Sequence, residues 1–465
     1  MGVSMAAFTT FIEQFSDVLW NSLLLFLLVG TGVYFTVQVR RFGEGFRRVF
    51  GGFTLRGKKA DAEGMSSFQA LTTAIAAQVG TGNITGCATA LVSGGPGALF
   101  WTWVSAFFGM ATIYAEAVLA QHYKTTVNGH VTGGPAYYIR AAFKGKVGKV
   151  LATVFSVLII LALGFMGNMV QSNSIAHAMQ TAFNVPAAVS GVVCAVLAGL
   201  VFFGGVGRLA SVTEKIVPFM AAIYLIGGLW VIGAHITEVI PAFRLIFVAA
   251  FDPEAVMGGA IGLTVAKAMQ FGVARGLFSN EAGMGSTPHA HAVARVEHPA
   301  EQGLVAMFGV FTTVVIVTFT GIVILVTGVL DFKTTGIELT QHAYTVGLGS
   351  FGMAFVAVCL FFFAFSTIMG WYFFGEQNVR FLFRSRGVLA YRVIVCAFIV
   401  TGAMLKVDFV WSLADLFNGL MVLPNLVALV ALHKVVGESL EDFEKKLDHY
   451  EVRKSENIDD RMQRL

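Results

Sequence analysis

The sequence predicts an all-α polytopic membrane protein with eleven transmembrane helices. Two five-helix halves of inverted topology follow one extra helix, and two of the core helices are broken at mid-membrane. Three observations carry this. The 465 residues are 56% hydrophobic and 12% charged, with a mean hydropathy of +0.75, whereas soluble domains carry about twice that charge fraction. Apolar runs long enough to cross a bilayer recur along the chain. Two of these runs are interrupted by glycine and polar residues, at Ala77–Asn83 and Arg275–Gly283.

Taken in order, the runs lie near 17–39, 66–92, 97–121, 147–182, 186–205, 214–234, 257–290, 303–329, 347–380, 388–405 and 411–432. No Lys or Arg precedes the first. A secretory signal needs a basic start and a shorter apolar stretch, so this run reads as a retained helix. The basic residues orient the rest. With the N-terminus outside, the Arg40–Lys59 cluster, Lys124 to Lys149, Arg208, Lys215, Arg295, Arg380 to Arg392 and the tail all fall inside. Outside loops keep only Arg244, Lys333 and Lys406, and Lys267 and Arg275 lie within a helix. That asymmetry obeys the positive-inside rule and accounts for the net charge of +4 without any nucleic-acid partner.

Residues 1–65 then form the extra helix and a basic cytoplasmic loop, 66–235 the first repeat and 257–435 the second. Five crossings per half force the halves into opposite orientations, the geometry of inverted repeats. The charged tail, 436–465, reads as a cytoplasmic helix or a disordered extension. The 52 Gly suit close helix packing. Cys87, Cys194, Cys359 and Cys396 all fall in predicted helices and read as packing residues rather than disulfide partners or metal ligands.

The interruptions carry the chemistry. Backbone groups freed in hydrocarbon are tolerated only where they line a protected cavity, and matching breaks in two halves point to a substrate site. In the first, Gly80 and Gly82 free carbonyls around Ala76–Val79, whose partial negative charge suits a hard cation such as Na⁺. Amides around Gly82 and Asn83 start the next half-helix and suit a carboxylate, with Thr81 and Asn83 adding side-chain oxygens. The alternative is that Gly80, Gly82 and Gly86 serve only close packing. The second break sets Ser279, Asn280 and Glu281 between Gly276 and Gly283, facing the first across the repeat interface.

Ionisable groups inside apolar segments are functional by default, so Arg275 and Glu281 are candidates for substrate contact, for a gate or for a structural pair. Glu116, Lys267, Glu376 and Asp415 are further buried-charge candidates. Ser366 and Thr367 could offer hydroxyls to a cation. Trp371, one turn beyond Thr367 on the same face, could wall a pocket or simply pack. Asn168, Gln171, Asn173 and His177 cluster in one helix, where hydrogen bonding between helices competes with ligand contact; Gln171 is the preferred ligand. His289, His291 and His298 lack metal-site spacing. No paired nucleophile and base marks an intramembrane enzyme.

These residues resemble a known family. Gln78–Asn83 with Thr85-Gly86, Gly133-Gly134-Pro135-Ala136-Tyr137-Tyr138, and the long run Gly276 to Ser286 are similar to motifs of the alanine/glycine:cation symporters, also called sodium:alanine symporters. Glu297-His298-Pro299 through Gln302-Gly303 and Trp411–Asn418 also fit, and the similarity covers roughly residues 15 to 435. The resemblance implies the leucine-transporter-like fold in a bacterial inner membrane, and Na⁺-coupled uptake of small neutral amino acids without a cofactor. It implies Na⁺ ligation by Ala76, Val79, Ser366 and Thr367. The amino-acid pocket would be lined by Gly80, Thr81, Gly82, Asn83, Gln171, Gly276, Ser279, Asn280, Thr367 and Trp371. Rival expectations are a proton-coupled or glutamine-preferring carrier of the same fold and, further off, an ion channel.

Overall fold

The computed structural model describes residues 11–39, 64–254 and 263–446, apart from positions 13, 17, 128 and 406. The Arg40–Lys59 cluster, Lys406 and residues 447–465 of the tail lie outside this set.

Helices account for nearly all of the described chain. A π-helical turn, Leu19–Leu24, leads into α1 (Leu25–Gln38). The first interrupted segment comprises α2 (Ser67–Gln78), a π-helical turn Gly82–Gly86 and α3 (Cys87–Gly94). Ser66 and Gln69 start α2 with reciprocal side-chain-to-backbone hydrogen bonds, a capping box that satisfies two otherwise orphaned amides. Then follow α4 (Gly97–His122), a hairpin of β1 (Thr125–Val127) and β2 (His130–Thr132), and α5 (Pro135–Ala142). Helix α6 (Gly145–Ile159) runs through a π-helical stretch, Ile160–Gly167, into α7 (Asn168–Phe183). A left-handed Asn184 ends α7, and α8 (Ala187–Phe202), α9 (Gly205–Ala234) and α10 (Val239–Phe251) follow.

Next come α11 (Val265–Asn280) and the short α12 (Pro288–Ala292). The chain continues with α13 (Pro299–Val326), α14 (Gly336–Leu348), α15 (Phe351–Phe383), α16 (Val388–Met404) and α17 (Val407–Ala431). Residues 433–446 form one more helical stretch. It is tied down by His298, which caps α13 through Nδ1 and meets Asp442 through Nε2 at 3.1 Å.

Among the described residues, Gly97–His122, Gly145–Phe183, Gly205–Ala234, Pro299–Val326, Phe351–Met404 and Val410–Ala431 are long and apolar enough to cross a membrane. Large apolar side chains cover the outside as well as filling the core. Val192, Val193, Val196 and Leu200 on α8, Ile226 and Trp230 on α9, and Leu389 and Val393 on α16 are exposed. Thr73, Asn83, Glu116, Gln171, Asn280, Thr367 and Asn425 are buried. Such an arrangement suits hydrocarbon outside and satisfied polar groups within. Cys87, Cys194 and Cys359 are buried free thiols and Cys396 is half-buried.

The structure corrects three expectations. The second break starts later than the expected Arg275–Gly283: the helix stays intact through Asn280, the chain leaves it at Glu281, whose φ of 56° is left-handed, and only Glu281–Gly283 of that stretch are unwound. Gly276 is therefore a helical residue. A Cβ there would stand 2.8 Å from Ser105 Oγ and 3.2 Å from Thr102 Cγ2, so this glycine serves close approach of α11 to α4. Ser279 and Asn280 likewise occupy the last helical turn rather than unwound chain. In the first break only Val79 and Gly80 leave the helix, because coiling resumes in the Gly82–Gly86 π-turn. Lys267 is exposed near the start of α11 rather than buried.

A short parallel bridge joins the two interrupted segments at one end. Met65 donates its N–H to Val293 O, and Arg295 donates its N–H to Met65 O, both at 3.0 Å.

Candidate functional site

Two helix ends and one intact helix build the site. Helix α2 stops at Gln78 because Val79 turns to φ −99°, ψ 83° and Gly80 follows. At Gly80 the chain runs so close to α15 and α7 that a Cβ would stand 2.3 Å from Thr367 Oγ1 and 3.0 Å from Gln171 Oε1. Only glycine permits that approach. Gln171 Oε1 also accepts the N–H of Thr81 at 3.2 Å, so the freed backbone is held from the α7 side.

The two breaks are stitched to each other. Gln78 Nε2 donates to Asn280 O at 2.7 Å, Asn83 Nδ2 to Gln78 O at 2.7 Å, and Ser279 Oγ to Asn83 Oδ1 at 2.6 Å. Three polar atoms at this junction, Thr81 Oγ1, Gln78 Oε1 and Asn280 Nδ2, are buried without a hydrogen-bond partner among the described residues. Buried polar groups nearly always find partners, so these unpaired atoms are the ones a polar guest would meet.

Beside them, Thr367 Oγ1 lies 2.9 Å and Ser366 Oγ 3.4 Å from Ala76 O. Two hydroxyls and a carbonyl at the end of a half-helix form an oxygen-only set, the donor type that hard cations prefer. Val79, expected in the same set, is the first residue off the helix and hydrogen-bonds back through its amide to Ile75 O.

Aromatic rings close the junction. Trp371 stands edge-on to Phe278, with centroids 5.9 Å apart, and Phe278 lies 5.3 Å from Trp411. Beyond Trp411, Arg275 donates twice to Asp415, at 3.3 and 3.2 Å, and its guanidinium sits 5.3 Å from the Trp411 ring. This pair lines a cleft of about 520 Å³ together with His177 and Glu338. A second cleft, about 930 Å³, opens where Gly64, Tyr137, Arg140, Gln377, Arg380 and Arg384 meet. Thr81, Asn83, Gln171, Thr367 and Trp371 are no more than 2% exposed, so the junction is sealed from both clefts.

Gln171 alone of its cluster reaches the first break. Asn168 bonds Gly164 O, Asn173 bonds Gly402 O and Leu405 O, and His177 faces Glu338. Arg275 and Glu281 do not pair with each other. Glu376 belongs to a separate cluster with Arg380, Arg392 and Tyr372. Sequence reasoning left Glu116 without a partner and did not single out Asn425. Glu116 accepts the N–H groups of Gly283 and Gly285 at 3.0 and 2.8 Å and the amide of Asn425 at 2.7 Å, fixing the loop of the second break. A polar Asn beside a proline in an apolar helix was the available signal.

A family model described as the sodium:alanine symporter family matches residues 5–457. The chain is 39% identical to a Methanococcus maripaludis protein named as a sodium/alanine symporter, over 97% of this chain and 99% of that protein. It is 44% identical to an uncharacterized transporter of Haemophilus influenzae (93% and 96%). It is 42% identical to a probable sodium/glutamine symporter of Bacillus subtilis (93% and 90%). Among solved structures, a manganese transporter from Eremococcus coleocola superposes with a TM-score of 0.52 at 13% identity, covering 79% of this chain and 76% of that one. At that identity the likeness establishes a shared fold alone.

Proposed function

The chain belongs to the sodium:alanine symporter family, a family of carriers and not of enzymes, and from that premise we propose that it imports small neutral amino acids, alanine or glycine first, coupled to Na⁺. The observation that carries the proposal is Thr367, whose hydroxyl reaches Ala76 O while its side chain abuts Gly80. One residue thus stands between an oxygen set fit for Na⁺ and the freed backbone fit for an amino acid.

The substrate carboxylate sits on amides at the start of the Gly82–Gly86 turn, beside the Thr81 hydroxyl, where the helix dipole favours negative charge. Its ammonium meets carbonyls at the end of α11. Na⁺ joins Ala76, Val79, Ser366 and Thr367, and ion and substrate each favour the conformation the other occupies. One charge moved through 100 mV adds about 2.3 kcal/mol, enough for more than tenfold accumulation.

The same reading assigns eleven crossings in a bacterial inner membrane, N-terminus outside and C-terminus inside, with inverted repeats over 66–235 and 257–435. The Arg275–Asp415 cleft then faces outward and the Arg140–Arg380–Arg384 cleft inward, in keeping with the positive-inside rule.

Proteoliposomes loaded with the purified chain test the coupling. Labelled alanine accumulates only under an inward Na⁺ gradient, and competition by glycine, alanine and glutamine names the preferred substrate. Uptake that persists without Na⁺ and collapses with a protonophore assigns the coupling to protons instead. A second expectation concerns size. Trp371→Ala admits larger neutral amino acids such as valine as competitors; if valine remains excluded, Trp371 is not the limiting wall.

A further inference from the structure

Glu281 has no part in the reading above, yet its setting is unusual on two counts. It ends α11 in the left-handed region (φ 56°, ψ 12°), which residues other than Gly, Asn and Asp seldom adopt. Its carboxylate is fully buried, and the hydrogen-bond partners it has are neutral: Ser286 Oγ donates to one oxygen and Trp371 Nε1 to the other. A buried non-glycine outlier of this kind points to a functional demand on the side chain.

That demand is visible in Trp371. The ring is packed edge-on to Phe278, and its other surroundings include the backbone of Gly167, where an added Cβ would stand 2.6 Å from the indole. The benzo edge, Cε3 and Cζ3, is the part that lies against Gly167, and the N–H sits on the opposite side of the ring. An indole N–H left unpartnered in a dry site is costly, so a fixed acceptor selects the orientation that reaches it. The left-handed turn delivers that acceptor from the rigid end of a helix rather than from a loose loop.

We propose that Glu281 is a positioning residue for substrate-size selection: by accepting the Trp371 N–H it fixes which edge of the indole faces the amino-acid site. The proposal rests on Trp371 being the pocket wall. Through this bond the geometry of the second break sets the depth of the pocket, so that selectivity is linked to the state of the α11–α12 junction.

The test measures discrimination between labelled alanine and unlabelled valine in proteoliposomes, as the ratio of their apparent affinities. Glu281→Met removes the acceptor, Trp371→Phe removes the donor, and Glu281→Gln keeps an acceptor oxygen. Glu281→Met and Trp371→Phe are each expected to lower discrimination about tenfold. The double variant is expected to fall no further than Trp371→Phe alone, because both changes break one bond. Glu281→Gln retains most of the discrimination.

Additive losses in the double variant would show that Glu281 acts apart from Trp371, and a Glu281→Gln loss equal to that of Glu281→Met would assign it a role through its charge; either result overturns the proposal. If Trp371→Ala broadens selectivity and Glu281→Met does not, the positioning role fails while the wall stands. If Trp371→Ala changes nothing, the wall itself fails. A second measurement covers poor folding of the Met variant. With ¹⁵N-tryptophan labelling, the Trp371 indole cross-peak, assigned by its loss in Trp371→Phe, shifts in Glu281→Gln. An unmoved peak overturns the bond.

Discussion

Gly80→Ala is expected to lower Na⁺-dependent alanine uptake at least a hundredfold. The new methyl would stand 2.3 Å from Thr367 Oγ1, 3.1 Å from Thr367 Cβ and 3.0 Å from Gln171 Oε1. Neither neighbour is free to yield. Thr367 is held by Ala76 O and Phe363 O, and Gln171 by the Thr81 amide. Overpacking of this kind costs about 1–3 kcal/mol, and here the strain falls on the groups assigned to ion and substrate. A hundredfold loss corresponds to about 2.7 kcal/mol, within that range. Transport assays on variant protein that still elutes as a monodisperse peak decide the matter. Near-normal uptake would mean the backbone can retreat from α15 and that the close approach is incidental.

Thr367→Ala carries the second large effect. Removing the hydroxyl deletes one of four oxygens in the proposed Na⁺ set, and Ser366 Oγ remains 3.4 Å from Ala76 O. The Na⁺ concentration for half-maximal uptake should rise at least tenfold, about 1.4 kcal/mol. The alanine requirement should rise with it, since linked ligands share one coupling free energy. Thr367→Ser, which keeps the oxygen, should recover most of the affinity. Na⁺ titrations of uptake at fixed alanine make the comparison. An unchanged Na⁺ dependence in Thr367→Ala would remove this residue from the ion site.

Much of this organisation was legible in the chain because bilayer spans are written in composition. A run such as Phe361–Phe374 admits little but a buried or membrane helix. The first break was legible to within a few residues, since Gly80 and Gly82 stand among polar side chains where hydrocarbon tolerates neither. The second was misplaced for a physical reason. A glycine either frees the backbone or lets another helix approach, and which it does depends on the residues opposite. At Gly276 those are Thr102 and Ser105, far away in sequence. The same holds for charges. Arg275 was visible as an ion inside a helix, but its partner Asp415 lies 140 residues on, and spacing along one chain carries no trace of it. Glu281 was visible as a buried acid, whereas the indole it holds was not.

The bridge between Met65 and Arg295 has an evolutionary side. Its two hydrogen bonds use only main-chain donors and acceptors, so no exchange of ordinary side chains can delete them. Proline alone removes an amide donor, so for these two bonds positions 65 and 295 are intolerant of that one residue. The tie between the two interrupted segments is thereby shielded from mutational drift, while the polar contacts at their other ends stay open to selection for new cargo.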